Sequence, residues 1–456
     1  MQQFTGSLVS YPARVSFGAY VLAILLGGLI LTTPLSRNPG CEPITLVDGI
    51  FTATSACCVT GLTVRSTVDD FSFFGQVVIL LLIQLGGLGI MTITTLASFQ
   101  FGGQASMRQR AIVAETLGIR SGRDLRWVTW GVLAAAFFSE GIGFIFLTVS
   151  QWGTEEPSRV IWKSLFHAVS AFCNAGFALG NDNLIPQAGN FSVNLVICGL
   201  IIIGGLGFPV IFDIAARIRK RDGLWTRLHT QSKIMLLGTA GLLVFGMVSF
   251  CFFEWNESLN SKPIATRILM GFFHSTTCRT AGFNTVDYAL LSNTTLFLAI
   301  LLMAIGAGPC STAGGFKVST FMTLLARSWA SFRGLRHVNL FRRTIPAASV
   351  ERATATVLLF AAVAVGAMVA LLTAEHGGHL EGRQRWFLEA LFECISALGT
   401  VGLSTGITAS LSDPGKLVLV GLMFLGRLGP ITAALALSQE RTTYQPTYPE
   451  EEPLIG

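Results

Sequence analysis

The sequence predicts an all-α integral membrane protein with four pseudo-symmetric helix–pore loop–helix repeats, eight transmembrane helices and four re-entrant loops, around one central pore. Three observations lead there. Only 12% of the 456 residues are charged and 51% are hydrophobic, against roughly 25% charged in soluble domains. Eight runs with little or no charge, 15–36, 71–107, 127–154, 183–212, 234–253, 288–316, 353–374 and 415–437, can each supply the ~20 residues an α-helix needs to cross ~30 Å of hydrocarbon. Finally, a glycine follows a short apolar stretch four times, about 115 residues apart, at Val59-Thr60-Gly61, Asn174-Ala175-Gly176, Thr280-Ala281-Gly282 and Thr400-Val401-Gly402.

The first repeat (1–100) opens with a helix over about 15–33. It starts just after Arg14 with no small-residue cleavage site behind it, so it reads as a retained span and not a signal peptide. A short apolar segment, Ile44 to Cys57, leads into Val59-Thr60-Gly61, and a long helix around 75–100 returns. Repeats two (128–217), three (232–326) and four (353–437) follow the same order, and a polar tail covers 438–456. The short segments cannot span: 16 residues separate Asp48 from Arg65 and 11 separate Arg267 from Arg279. A half-helix that dips in and returns as an extended strand is tolerated at membrane depth where protein or water covers it. Interfacial hairpins are the alternative, and fourfold recurrence disfavours them.

The linkers 101–127, 214–233 and 327–352 hold 17 of the 31 basic residues, which makes them cytoplasmic, together with both termini. The same bias accounts for the +6 net charge, and no nucleic-acid module is visible. Nine cysteines show no zinc-type spacing and read as free, mostly buried thiols.

Glycine adopts positive φ, so successive carbonyls can be turned one way, toward an axis. Four such strands make rings of oxygens able to replace a cation's hydration shell. The preceding half-helices end beside them and present their negative dipole ends. The expected cation site is therefore Val59, Thr60, Gly61, Asn174, Ala175, Gly176, Thr280, Ala281, Gly282, Thr400, Val401 and Gly402. Glycines serving only helix packing would fit one such site better than four.

Second glycine signatures, Leu85-Gly-Gly-Leu-Gly89, Ile203-Gly-Gly-Leu-Gly207, Ile305-Gly-Ala-Gly308 and Leu425-Gly-Arg-Leu-Gly429, fall in the returning helices. In the first two repeats they read as close packing around the pore. In the third, the run over 305–320 cannot hold an unbroken helix, because proline removes a donor and clashes. It reads as an intramembrane gating loop, with Gly306, Gly308, Pro309, Ser311, Thr312, Gly314, Gly315 and Lys317 as its gate residues; a static packing kink is the alternative.

An arginine within a membrane helix is a functional-site hypothesis. Arg427 is expected near the pore, opposing cations resting below the filter, with Asp213 or Glu393 as candidate partners. Arg279 is expected to brace the third strand from behind, Lys317 to snorkel at a helix end, and Glu140 to be a buried, hydrogen-bonded acid rather than a proton relay. The membrane carboxylates are scattered singly, so no catalytic constellation is expected and the chain reads as no enzyme. An anion or phosphate permease using Arg279, Lys317 and Arg427 would need half-helix N-termini at the site, and here C-termini precede it.

Over residues 15–437 the chain resembles the Trk/Ktr/HKT superfamily of cation transporters, most closely the membrane subunits of bacterial Ktr systems. Phe166 to Phe177, Arg279 to Asn284 and Gly314 to Thr320 are especially similar to the family's second loop, third loop and intramembrane gate. Only 14 residues precede the first span, whereas Trk-type relatives add two helices there. The resemblance implies potassium uptake across the bacterial cytoplasmic (inner) membrane, often stimulated by sodium. It also implies a homodimer with one pore per protomer and a cytoplasmic ring of KtrA-like nucleotide-binding subunits that carry ATP or ADP; this chain itself is expected to hold no cofactor. Sodium-selective plant relatives carry serine at the position of Gly61, so four glycines argue for potassium over a sodium-permeable variant of the same fold. Pro309, Cys310 and Ala313 depart from the family's small-polar and glycine pattern in the gate.

Overall fold

The computed structural model of the protein describes residues 12–89, 125–218, 224–378 and 383–429. Most of the first linker, the Arg219-Lys220-Arg221 run and the 438–456 tail lie outside them. Four units of like element order follow one another. Helices α1 (Pro12–Leu31), α2 (Leu46–Cys57) and α3 (Phe73–Leu88) make the first. The second comprises α4 (Leu125–Gln151), α5 (Pro157–Cys173) and α6 (Phe191–Leu206), with α7 (Phe208–Ile218) appended. In the third are α8 (Thr230–Glu254), α9 (Ile264–Thr277), α10 (Asn293–Ala304) and α11 (Val318–Phe332). The fourth holds α12 (Ala347–Ala374), α13 (Trp386–Gly399) and α14 (Asp413–Leu428).

Local chemistry starts and stops these helices alike in each unit. The returning helices α3, α6, α10 and α14 begin at Ser72, Asn190, Ser292 and Ser412, whose side chains each accept a first-turn N–H. Two of these starts are anchored again by a carboxylate from the unit's first helix or its end. Glu254 accepts from the Ser292 N–H and hydroxyl at 3.0 and 2.8 Å, and Glu375 accepts from those of Ser412 at 2.8 and 2.6 Å. Glycine closes three of the returning helices: Gly89, Gly207 and Gly429 have φ of 79°, 89° and 80°.

Of the eight expected spans, the parts over 90–107 and 430–437 lie outside the described residues. Among the described residues, three helices are long and apolar enough to cross a membrane: Trp130–Gln151, Thr230–Glu254 and Ala347–Ala374. The pair Phe191–Leu206 and Phe208–Ile218, bent by 100° at Gly207, is long and apolar enough only if both helices count as one span. Phe17–Leu31, Phe73–Leu88 and Asn293–Ala304 are shorter apolar helices. Apolar runs in the sequence continue through the glycine signatures; the helices do not.

The description all-α also needs amendment. Between α11 and α12, β1 (Val338–Leu340) and β2 (Arg343–Ile345) pair antiparallel with Asn339 opposite Thr344. Phe341 and Arg342 make the turn at φ of 52° and 60°. That two-residue turn normally carries Asn or Gly, so the sequence offered no hairpin signal.

The core lies inside the ring of units, while large apolar side chains such as Leu22, Phe138, Val149, Phe252 and Val365 cover the outside. Exposure of that kind suits lipid and not water.

Candidate functional site

Each of α2, α5, α9 and α13 ends directly before a glycine strand, and the four strands share an uncommon backbone. Val59, Asn174, Thr280 and Thr400 have φ of 56°, 60°, 67° and 47°, and Gly61, Gly176, Gly282 and Gly402 have 99°, 71°, 78° and 91°. Positive φ strains a β-branched residue, and three of the four non-glycine residues are β-branched. Strain of this kind persists where surrounding structure enforces it and clusters at functional sites.

The strands meet in a closed ring. A Cβ placed on Gly61 would strike the Ala175 carbonyl oxygen, and one on Gly176 would lie 2.7 Å from the Gly282 Cα. A Cβ on Gly282 would lie 2.7 Å from the Val401 oxygen, and one on Gly402 would strike the Thr60 oxygen, closing the circuit. The hydroxyls of Thr60, Thr280 and Thr400 are buried there without a protein partner. In the second strand the Asn174 amide, turned to suit its surroundings, donates to Ala171 and Ile201 carbonyls at 3.1 and 3.3 Å.

Sequence reasoning missed what holds these strands. Ser55, Ser170, Thr277 and Ser396 lie in the last turn of the short helices. Their carbonyls accept the N–H of Thr60, Ala175, Ala281 and Val401 at 2.7–3.0 Å. Their hydroxyls brace the strand beyond. Ser55 accepts the Gly61 N–H at 3.1 Å, while Ser170 and Thr277 donate to the Phe177 and Phe283 carbonyls at 2.8 and 2.5 Å. Ser396 does both, accepting from Gly402 at 3.1 Å and donating to Leu403 at 2.7 Å. The signal was present as a hydroxyl residue five or six positions before each glycine.

The second glycine signatures pack where the short helices end. A Cβ at Gly86, Gly204 or Gly426 would collide with the carbonyl oxygen of Cys57, Phe172 or Leu398. Close approach, expected for the first two units, thus recurs in the fourth.

After α10 the chain leaves the helix at Ile305 and forms an irregular loop to Lys317. Gly306 donates to the Phe316 carbonyl at 2.9 Å and Val318 to that of Ala307 at 3.1 Å, closing the loop on itself. Gly308 and Thr312 donate to the Gly205 and Gly204 carbonyls at 2.8 and 3.3 Å, and Phe208 donates to Cys310 at 3.2 Å. Ser311 donates to the Gly308 carbonyl at 2.6 Å. Pro309 lies over Gly207, and Gly314 sits against Thr400 of the fourth strand. Gly315, at φ 65°, lets the loop turn.

Two cations engage this loop. The Arg427 guanidinium donates to the carbonyls of Thr312 and Gly86, and Lys317 Nζ donates to those of Ala313 and Gly314 at 2.7 and 3.3 Å. Neither expected carboxylate pairs with Arg427. Asp213 serves His229, Ser232 and Arg217, and Glu393 accepts from Ser404, Thr405 and Thr408. Two backbone oxygens, of Thr312 in the loop and of Gly86 in α3, take the carboxylate's place. Lys317 is likewise turned into the loop and not outward, donating to the Ala313 and Gly314 carbonyls.

Arg279 lies buried behind the third strand, donating to the Thr239 carbonyl at 3.3 Å. Glu140 is buried and accepts from Gln84 at 3.0 and 3.1 Å, with the Cys173 thiol at 3.9 Å. No disulfide joins the nine cysteines. Among the described residues no group of His, Cys, Asp and Glu could hold a metal ion.

A family profile described as "TrkH: Cation transport protein" matches residues 24–443. The chain is 37% identical to the Ktr system potassium uptake protein B of Vibrio alginolyticus, covering 97% of this chain and 94% of that one. It is 36% identical to the potassium/sodium uptake protein NtpJ of Enterococcus hirae, over 98% and 97%. The solved structure of the potassium transporter TrkH from Vibrio parahaemolyticus superposes with a TM-score of 0.69 at 19% identity, covering 92% of this chain and 83% of that one, which shows a shared fold. The chain belongs to the TrkH family of cation transport proteins.

Proposed function

We propose that the chain is the potassium-translocating membrane subunit of a bacterial uptake system, with the four glycine strands as its selectivity filter. The closed ring of positive-φ glycines carries this reading. Left-handed residues alternating with an ordinary one turn backbone carbonyls to a common side, and oxygen rings of this kind replace the hydration shell of a monovalent cation. The unpartnered threonine hydroxyls add acceptors of the same chemistry. Four helix C-termini behind the ring contribute negative dipole ends. The names of the relatives, a Ktr potassium uptake protein and a potassium/sodium uptake protein, support potassium as the cargo and sodium as a second ion.

The loop Ile305–Lys317 is the gate in this proposal, held shut from below by Arg427. Control comes from a cytoplasmic KtrA-like nucleotide-binding ring, and the subunit works as a homodimer in the inner membrane with both termini inside. Expression in a bacterium lacking potassium uptake, with and without a KtrA-type partner, tests the reading; no rescue under either condition overturns it. Ion-replacement fluxes then address the filter. Gly61→Ser is expected to lose potassium preference and gain sodium flux, because a side chain at φ 99° must push the neighbouring Ala175 carbonyl off the axis. Equal sodium and potassium flux in the unaltered protein would favour the sodium-permeable reading instead.

A further inference from the structure

Glu393, in α13, is fully buried. Its Oε1 accepts from the Ser404 hydroxyl at 2.7 Å and from the Thr405 N–H and hydroxyl at 2.9 and 3.3 Å. Its Oε2 accepts from the Thr408 hydroxyl at 2.7 Å. No described ion pair includes it, so hydrogen bonds alone hold the group. All three partners lie just past the fourth glycine strand. In the second unit His167 of α5, also buried, accepts the Leu179 N–H at 3.1 Å through Nε2. Glu393 and His167 each stand nine positions before their glycine, and Thr405 and Leu179 three positions after it. The first and third units hold Thr52 and Phe273 at that place. Thr52 donates its hydroxyl to the Asp48 carbonyl within its own helix, and a phenyl ring has no acceptor to offer. Asp48 and His274 do reach past their strands, but to the side chains of Arg65 and Tyr288 and not to backbone. Since the ring runs from the first strand through to the fourth, the two strands with a captured N–H lie opposite each other.

Strained backbone keeps its shape only where its surroundings enforce it. In the fourth strand, Thr400 at φ 47° and Gly402 at φ 91° are held from the helix side, where the Ala397 and Ser396 carbonyls accept the N–H of Thr400 and Val401 at 3.1 and 2.8 Å. Ser396 Oγ serves Gly402 and Leu403. Beyond Leu403 the next backbone group to be held is the Thr405 N–H, and Glu393 holds it. We infer that Glu393 is a positioning residue of the proposed filter: it clamps the far end of the fourth strand, as His167 clamps the opposite one, and so sets discrimination between cations. It acts through backbone geometry, because ring oxygens select an ion by where they stand. The clamp follows from the hydrogen bonds alone; its effect on ions rests on the potassium reading above.

Amide hydrogen exchange of purified full-length protein reads the clamp directly. The Thr405 N–H is expected to exchange at least about tenfold faster in Glu393→Leu than in the unaltered protein. In Glu393→Gln the rate should stay as it was, since the amide oxygen accepts as before and the NH₂ donates to the Thr408 hydroxyl. Protection retained in Glu393→Leu overturns the inference. Proteoliposomes give the ion readout, as the ratio of rubidium to sodium uptake. A fall of about tenfold is expected in Glu393→Leu, and of less than about twofold in Glu393→Gln. Glu375→Leu controls for lost stability, because Glu375 holds the start of α14 by bonds of the same kind. It should lower the unfolding midpoint and keep the ratio. An equal fall of the ratio in Glu375→Leu or in Glu393→Gln overturns the positioning role. Should Glu393→Leu fail to fold, Thr408→Val keeps the shape, removes one hydroxyl and is expected to lower the ratio about threefold; an unchanged ratio there overturns the inference. Equal rubidium and sodium uptake by the unaltered protein speaks against the potassium reading, while amide exchange continues to judge the clamp.

Discussion

At the scale of single residues, four hydroxyl side chains hold the geometry on which the proposed filter depends. Ser396 both accepts the Gly402 N–H and donates to the Leu403 carbonyl, in a place no water reaches. Ser396→Ala leaves both backbone groups unpaired, and burying an unpaired group costs about 1–3 kcal/mol. A stability loss of about 2–4 kcal/mol is expected in denaturation of the purified protein, together with weaker discrimination of potassium over sodium. Ser249→Ala, which removes an exposed hydroxyl bonded within its own helix, should leave both unchanged. A selective, stable Ser396→Ala would show that the strand holds its shape without the hydroxyl. The glycines were legible in the sequence because their spacing repeats. The hydroxyls were not, since serine and threonine are common in helices and their partner oxygens are identified only in three dimensions.

Among elements, the telling contrast is between α10 and its siblings. Helices α3, α6 and α14 end at a positive-φ glycine, the last of their second glycine signature; α10 ends at Ile305 and hands over to the loop. Pro309 and four glycines in that run already excluded a helix there. The sequence could not say what the freed carbonyls would bind. Those of Thr312, Ala313 and Gly314 receive Arg427 and Lys317, and the arginine, with no carboxylate partner among the described residues, links Thr312 to Gly86, 115 and 341 residues away in the chain. A hydrogen bond involving a charged group contributes about 1.5–3 kcal/mol. Arg427→Gln is therefore expected to raise ion flux in the absence of any cytoplasmic partner by about tenfold or more. The measurement is rubidium uptake into proteoliposomes containing this chain alone. Unchanged or lower uptake would mean that this link does not hold the loop closed.

For the whole molecule, the ring closes by polar contacts as well as by packing. Asp48 at the start of α2 is buried, and its two oxygens receive Lys416 of α14 at 2.8 Å and Arg65 at 3.1 Å. Lys416 is 368 positions away, so this ion pair ties the first unit to the fourth. Removing one partner of a buried pair commonly costs 3–5 kcal/mol. Arg65 remains in Lys416→Met, so a loss of roughly 3 kcal/mol is expected, read as a lower unfolding midpoint of the purified protein. In Asp48→Asn with Lys416→Met, Arg65 loses its buried partner and keeps only the exposed Glu42 at 3.5 Å, so no recovery is expected. A double variant more stable than Lys416→Met would mean that Arg65 alone does not compensate Asp48.

Membrane character, the fourfold glycine pattern and the broken third helix were all present in the linear chain, because charge, helix-breaking proline and glycine recurrence are properties of residue identity. Where helices end was only half legible: apolar runs extend through the glycine signatures, and it is positive φ at Gly89, Gly207 and Gly429 that stops them. The hairpin at Val338–Ile345 was hidden by a turn without glycine. Which oxygen faces which glycine, which carbonyls receive Arg427 and which lysine reaches Asp48 were decided by tertiary structure alone. Those contacts join residues more than a hundred positions apart, and only closure of the four units brings their donors within bonding distance of buried acceptors.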